Sequence, residues 1–454
     1  MRLANLVFIF AICGYLLIAC PAGAYASGIE IRQVRLVDYK IARTKNFVTS
    51  KGVSDSCYGI FIVIDAGDGA GHQFTALGDA LPRGSVTNET STDAWAGANA
   101  MAADLSGKSL SGQDRDADLK TVKLWLAELD KIANEQKLTT TKPPPAGKQL
   151  RATLCGYDIA LLDLLGQIYK VPIYELLGGS RRKEVSVSAM TFNADASLED
   201  LSDEVDATSS AFGALRLKIG LDNDTDLKKL ATVAAGLKEK PDVNIWVDAN
   251  QSWKTSDGAI AMLGRIRDTL KANDFKATFI CEQPTYGPDM PALARTTAEI
   301  HKWLPTMPFK IVIMADESMW TLDDAKALVG MNACDLVNIK IQKCGGLLAA
   351  KAIGDYLAAA APDVGIYVGG VVATDVTSWA NLQLCYALPR LDYSTGCIPR
   401  RAYKVNVAKT PVSYDHGKVM KFPTEAGLGT ALDLVKLEGY IRRDHTISTT
   451  QPVN

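Results

Sequence analysis

The chain has 454 residues, 47% apolar and 22% charged, with 49 Lys and Arg against 51 Asp and Glu. A chain of that composition buries one large core or two and is not globally disordered. Its charge is balanced and its basic residues form no stripe, which argues against a nucleic-acid partner.

Residues 1–26 read as an export signal: Arg2 gives a basic start, residues 6–19 are apolar, and Ala24-Tyr25-Ala26 precedes Ser27 as a small-x-small cleavage site. The apolar stretch is too short for a comfortable membrane span. Leu17-Ile18-Ala19 before Cys20 also resembles a lipobox, so a lipid anchor at Cys20 is the second reading and a retained anchor helix the third. The first two place the mature protein outside the cytoplasm, periplasmic or extracellular. Of nine cysteines, Cys13 and Cys20 lie in the signal; Cys57, Cys155, Cys281, Cys334, Cys344, Cys385 and Cys397 form no Cys-x-x-Cys pair and read as buried small hydrophobes.

From residue 28 to 155 the pattern is that of an α+β capping domain. Strand-like runs at residues 30–41 and 59–65 lead through Gly67-Asp68-Gly69 into residues 74–77, an antiparallel meander. Residues 118–136 carry Leu119, Val122, Leu126 and Leu129 on one helical face. After Pro143-Pro144-Pro145, residues 152–168 are apolar almost all round, as expected of a helix buried between two domains.

Beyond Leu177-Gly178-Gly179 apolar strands alternate with helical stretches: residues 185–192, 214–219, 243–248, 278–282, 311–316, 336–341, 365–368 and 390–393. Eight βα units with no Gly-x-Gly-x-x-Gly turn after the first predict a (β/α)₈ barrel of the TIM type over residues 156–400, in preference to an open doubly wound sheet. Residues 401–454, with the turn Gly427-Leu428-Gly429 and a final helix-like segment, are expected to return to the capping domain.

Successive predicted strands end in charged residues: Lys218 in LRLKIG, Asp248 in IWVDAN, Glu282 in FICEQP, Asp316 in IMADES and Lys340 in VNIKIQ. Strand ends at the C-terminal rim are where a barrel builds its active site. The alternation of a strand puts Arg216 with Lys218, Asp248 with Asn250, and Asn338 with Lys340 on shared faces. Three carboxylates in a shielded cavity need a cation, and a hard divalent ion suits an all-oxygen set without His or Cys. Their oxygens are expected to meet at one point within bonding range of Mg²⁺. Separate acids, each paired with Lys or Arg, are the plainer alternative. Lys218 and Lys340, on the second and sixth predicted strands, stand nearly opposite each other around the ring, and cationic neighbours are expected to lower a lysine pKa toward that of a general base.

The segments CGYDIALLDLLGQIYKVPIYELLGG, VDANQSW, CEQP, ADES, NIKIQKCGG and AGLG together resemble the muconate-lactonizing subgroup of the enolase superfamily, over nearly the whole chain after the signal. The resemblance implies Mg²⁺ (with Mn²⁺ as a substitute) on Asp248, Glu282 and Asp316, and Lys218 and Lys340 as the acid/base pair. It also implies a small-molecule carboxylate as substrate and a homo-oligomer. The subgroup's Lys-x-Lys appears as Arg216-Leu217-Lys218, and Arg216, Asn250 and Glu317 are auxiliary candidates. Asp392, Asn338, Gly369 and Gly370 are candidates for substrate binding. Asp392 matches the first acid of the Asp-x-Asp that holds the substrate ammonium in dipeptide epimerases; the second is Ser394, and Ala373 stands where many relatives carry Glu. His72, His301, His416 and His445 do not fit a mandelate-racemase-like His-Asp dyad. The implied chemistry is removal of the α-proton of a carboxylate, most readily racemisation or epimerisation of an amino-acid derivative or dipeptide. Cycloisomerisation or elimination at the same site is the alternative, and an idle exported binding protein a remote third.

Overall fold

The structure is a computed structural model that describes residues 28–188, 191–209, 212–371, 373–396, 402–415 and 417–449. The expected signal with Cys13, Cys20 and the cleavage site, and also Cys397 and His416, lie outside the described residues. Among those described, no helix is long and apolar enough to cross a membrane, and the six cysteines are buried and free of disulfides.

The N-terminal layer is an antiparallel sheet of β1 (Ile29–Thr49), β2 (Gly52–Gly67) and β3 (Gln73–Ala80). β1 and β2 pair out to Thr49↔Gly52, so they form one long hairpin whose tip reaches beyond the sheet. The turn at residues 68–72 lies where Gly67-Asp68-Gly69 predicts it. Three helices follow, α1 (Ser91–Leu105), α2 (Arg115–Glu135) and α3 (Arg151–Tyr169). α1 is not legible from periodicity, since much of its buried face is Ala and Gly. The expected helix-like end of the chain is corrected: after the short helix Leu434–Leu437, Ile441–Ser448 is a strand that pairs antiparallel with β1. Its alternating Ile441, Arg443 and Ile447 against charged neighbours is a strand period.

α3 is the hinge pin of the molecule, and the domain boundary expected at 155/156 falls inside it. It is buried along almost its whole length and lies so close to β3 that a Cβ on Gly78 would stand 1.9 Å from the Gly156 carbonyl oxygen. Three buried carboxylates fasten it. Glu89 accepts from the N–H groups of Ala152 and Thr153 at its first turn (2.7 and 3.2 Å). Asp158 accepts from Leu347 N (2.5 Å) in the barrel, and Asp163 from Leu77 N and Leu428 N (both 2.7 Å), tying together cap, helix and C-terminal turn.

Burial pushes these three acids up, to about 7 for Glu89, about 7 for Asp158 and about 6 for Asp163, against the pull of their hydrogen bonds. Folded values above unfolded ones mean that folding takes up protons. The stability they contribute is complete below the unfolded carboxyl range and is lost as pH rises through 6 to 7, a tenfold change in proton affinity being worth about 1.4 kcal/mol. The melting temperature is therefore expected to fall between about pH 4 and 7, with a shallower fall in Glu89→Gln; a melting temperature rising over that window would refute this assignment.

The second layer is a parallel sheet of seven strands in sequential order. They are β4 (Thr191–Phe192), β5 (Ala214–Lys218), β6 (Asn244–Asp248), β7 (Thr278–Glu282), β8 (Lys310–Ala315), β9 (Leu336–Ile339) and β10 (Gly365–Val368). The expected eighth strand at 390–393 is not regular. Closure is made by separate contacts from Asp392 onward: Asp392 N donates to Ile366 O (3.0 Å), Gly396 N to Val368 O (3.3 Å) and Thr395 N to Ser186 O (2.9 Å). Thr395 also bridges Val187 in parallel, so an irregular segment joins the last strand to the first and closes the (β/α)₈ barrel. Pro389 and the polar run Arg390, Asp392, Ser394 suit such a segment better than a continuous strand.

Candidate active site

Lys218, Asp248 and Glu282 are the last residues of β5, β6 and β7, and the sheet register pairs Lys218 with Asp248 and Asp248 with Glu282. They stand side by side on one row of the pleat. Asp316 follows β8, two residues beyond the Met314 that pairs with Glu282, and so shares that face one step further along the pleat. Lys340 follows β9, and three strands lie between that strand and Lys218's own. The strands stop here because the chain turns into left-handed backbone at Asn250 (φ 46°), Gln251 (φ 70°) and Gln283 (φ 41°). Side chains rarely adopt that region, and such strain clusters at functional sites. Gln283 is held by Ser318 Oγ (2.8 Å) and by the N–H groups of Asp316 (2.8 Å) and Ser318 (3.1 Å).

A layer of Trp246, Ile280, Val312, Met314, Leu336 and Tyr367 fills the barrel beneath this row. Trp246 donates to Glu282 Oε2 at 3.0 Å and lies under the Arg216 guanidinium, 5.0 Å from its ring centroid. A dry floor strengthens every electrostatic interaction above it.

The carboxylates are fully buried, and cations thread them into one chain. Arg216 Nη2 lies 2.9 Å from Asp248 Oδ2 and also contacts Glu282 Oε2. Lys218 Nζ contacts Asp248 and lies 3.1 Å from Asn250 Oδ1. Lys340 Nζ is 2.5 Å from Asp316 Oδ2 and 4.0 Å from Glu282 Oε1, while Lys343 Nζ holds the other Asp316 oxygen at 2.6 Å. Among the described residues no three acids, histidines or cysteines are arranged around one point as metal ligands. The expected convergence of Asp248, Glu282 and Asp316 within bonding range is thus not met in this arrangement, because Arg216 and Lys340 stand between them.

Burial raises Glu282 to about 7, partly opposed by Arg216. It acts upward on Asp248 too, but Lys218 and Arg216 outweigh it and hold that acid at about 2. Lys218 is pushed down, chiefly by burial; Asp248 acts upward, and Arg216, the cationic neighbour expected to lower it, is a lesser cause. Lys340 goes the other way: burial acts downward, but Asp316 and then Glu282 raise it.

Both lysines open on a cavity of about 240 Å³ between barrel and cap, which Asn250, Asp316, Glu317 and Gly370 also line. Asn338 lies beneath, its amide donating to Glu282 Oε1 at 2.8 Å, and Gly369 packs on it so closely that a Cβ there would be 2.2 Å from Asn338 Oδ1. Asp392 is a correction. It accepts from Ile366 N (2.7 Å) and pairs with Arg390 (2.9 Å), and it shares a separate cavity with Lys310 and Gly365, the first residues of their strands. It therefore sits at the opposite rim and cannot hold a substrate ammonium. His72, His301 and His445 bond Asp68, Asp335 and Asn99, away from this cavity.

Sequence reasoning misses Lys343 and Gln283, which stand inside motifs already singled out. It also misses Arg43, Lys51 and Arg83 from the cap, which line the same cavity and carry no spacing signal.

A (β/α)₈ barrel with an α+β cap, and acids and lysines on its C-terminal rim, defines the class. The model of the family described as "Enolase C-terminal domain-like" matches residues 200–436, and the chain belongs to that family. It is 35% identical to the L-Ala-D/L-Glu epimerase of Clostridium acetobutylicum over 191 residues, 42% of this chain, and spans about half (48%) of that relative's length. It is 30% identical to the chloromuconate cycloisomerase of Cupriavidus pinatubonensis over 296 residues, 63% of this chain and 71% of the relative. The dipeptide epimerase of Cytophaga hutchinsonii, solved with Mg and the dipeptide D-Ala-L-Val, superimposes with a TM-score of 0.74 at 21% identity, covering 92% of this chain and all of that one.

Proposed function

We propose that the protein is a Mg²⁺-dependent isomerase that exchanges the α-proton of a carboxylate substrate, racemising or epimerising an amino-acid derivative. The observation that carries this reading is a pair of buried lysines, Lys218 and Lys340, opening on one cavity with three strands and a row of three buried carboxylates between them.

The donor set fits a hard divalent ion: oxygens only, all buried, with Glu317 Oε2 and Asn338 Oδ1 beside them lacking any hydrogen-bond donor among the described residues. Asp248, Glu282 and Asp316 would hold the ion, once Arg216 and Lys340 give up their bridging positions. So bound, it offsets the negative charge that grows on the substrate carboxylate as the α-proton leaves. Lys218 takes the proton from one face of the α-carbon and Lys340 returns one to the other. Lys343 holds Asp316 in place, and the cap keeps water out. The relatives' activities, an epimerase and a cycloisomerase, both agree with such a site. The displacement of Asp392 favours substrates whose amine is blocked over dipeptides with a free ammonium. We further propose that the protein acts outside the cytoplasm; the mature chain is expected to begin at Ser27 or to carry lipid on Cys20, as its intact mass will show.

Chiral chromatography after incubation with Mg²⁺ tests the reaction. N-acyl amino acids and dipeptides of one hand are expected to yield the other hand. A ring-closed or eliminated product with no inversion would move the assignment to the cycloisomerase or lyase reading.

A further inference from the structure

Two arginines of the cap line the reaction cavity without a carboxylate partner. Arg43, on β1, and Arg83, just past β3, are 8% and 9% exposed. Arg43 donates to Ser54 Oγ at 3.2 Å and lies over the rings of Phe47 and Tyr403, 5.5 and 5.2 Å from their centroids. Arg83 donates to the carbonyls of Tyr58 (2.6 Å) and Pro82 (2.8 Å) and to Cys57 Sγ (2.8 Å). Among the described residues neither guanidinium pairs with an acid. A buried cation with only neutral partners is unfavourable unless an anion joins it.

The acids of the cavity are already taken. Asp316 is held by Lys340 and Lys343, and Glu317 by Lys51 at 2.5 Å. Asp392 lies at the other rim. Among the described residues that line the cavity no further acid is present to suit a substrate's positive end. Position matters as well: Lys218 Nζ is 5.7 Å from the centroid of the Phe47 ring that Arg43 also stacks on, so one ring separates the reacting end from the arginine end.

We propose that this site takes carboxylates bearing a second anionic group, bound by Arg43 and Arg83 at the cap end while the reacting carbon lies between Lys218 and Lys340. The inference rests on the α-proton chemistry proposed above and adds the substrate class to it. A guanidinium fork suits a carboxylate at that position. Two sources share the chemistry: amino-acid derivatives whose far end is acidic, and unsaturated dicarboxylates.

Calorimetry on the full chain in Mg²⁺ buffer tests it with pairs that differ only in the far group: N-succinyl-alanine against N-butyryl-alanine, and muconate against sorbate. The anionic member is expected to bind about 10- to 100-fold more tightly, the worth of one or two charge-assisted hydrogen bonds. The pair with the larger ratio identifies the source. Arg43→Gln and Arg83→Gln should each shrink that ratio, and Arg43→Lys should keep part of it, which separates charge recognition from a folding defect. Equal or undetectable binding of the anionic members, or an undiminished ratio in both Gln variants, would overturn the proposal. Discrimination without any α-proton exchange would leave this subsite standing and remove the proposed reaction; exchange without discrimination would do the reverse.

Discussion

Lys218→Ala is expected to lower α-proton exchange of one substrate enantiomer by about 10²- to 10⁴-fold, the usual worth of a positioned acid or base, and to spare part of the exchange of the other. Lys340→Ala should give the mirror pattern. The expectation follows from placement: three strands separate the two strands that carry these lysines, and both line one cavity, so each reaches one face of a carbon held between them. Lys218 can lose its side chain with little rearrangement, since Arg216 stays on Asp248 at 2.9 Å. Lys340 leaves Asp316 with Lys343 at 2.6 Å. Both variants should therefore fold and keep their response to metal. Equal loss for both enantiomers in both variants would point to a single base, and hence to a one-way elimination or ring closure.

Asp316→Asn should have the other large effect, on two readouts at once. The carboxylate neutralises two buried ammonium groups, Lys340 and Lys343, and breaking a buried ion pair by removing one partner costs about 3–5 kcal/mol. The same change removes one of the oxygens proposed to hold Mg²⁺. The variant should melt well below the parent without metal, and Mg²⁺ should no longer raise its melting temperature, whereas in the parent binding to the folded state alone should raise it. An unchanged melting temperature would contradict the ion-pair account, and an undiminished metal response would remove Asp316 from the ligand set.

The barrel and the row on its rim are legible in the sequence because both rest on local rules. Apolar runs between helical stretches define parallel strands, and a charge closing such a run marks a rim: Lys218, Asp248, Glu282, Asp316 and Lys340 each end one. Sequence and structure part where local pattern is ambiguous. The stretch 390–393 has the pattern of a strand, yet the ring is closed by irregular contacts that run from Asp392 to Gly396, and Asp392, at the start of that segment, lies at the other end of the barrel. The C-terminal strand passes for a helix because its alternate series Ile441, Arg443, His445 and Ile447 carries polar residues at its two middle positions, and His445 is exposed. Arg43 and Arg83 give no signal, since only the long β1–β2 hairpin and the end of β3 bring the cap over the barrel mouth, a tertiary fact absent from any window of sequence. The metal geometry is not legible either: the sequence names the donors but not that Arg216 and Lys340 bridge them.

Solvent exchange tests the central claim most directly. Incubated in heavy water with Mg²⁺ and a panel of N-acyl amino acids, dipeptides, acidic derivatives and unsaturated dicarboxylates, the protein should place deuterium at the α-carbon of at least one compound, read by mass spectrometry. The Lys218→Ala, Lys340→Ala double variant should place none. If every compound returns without deuterium while Mg²⁺-dependent binding of the same compounds is intact, the site binds carboxylates without reacting them, and the proton-transfer account is wrong.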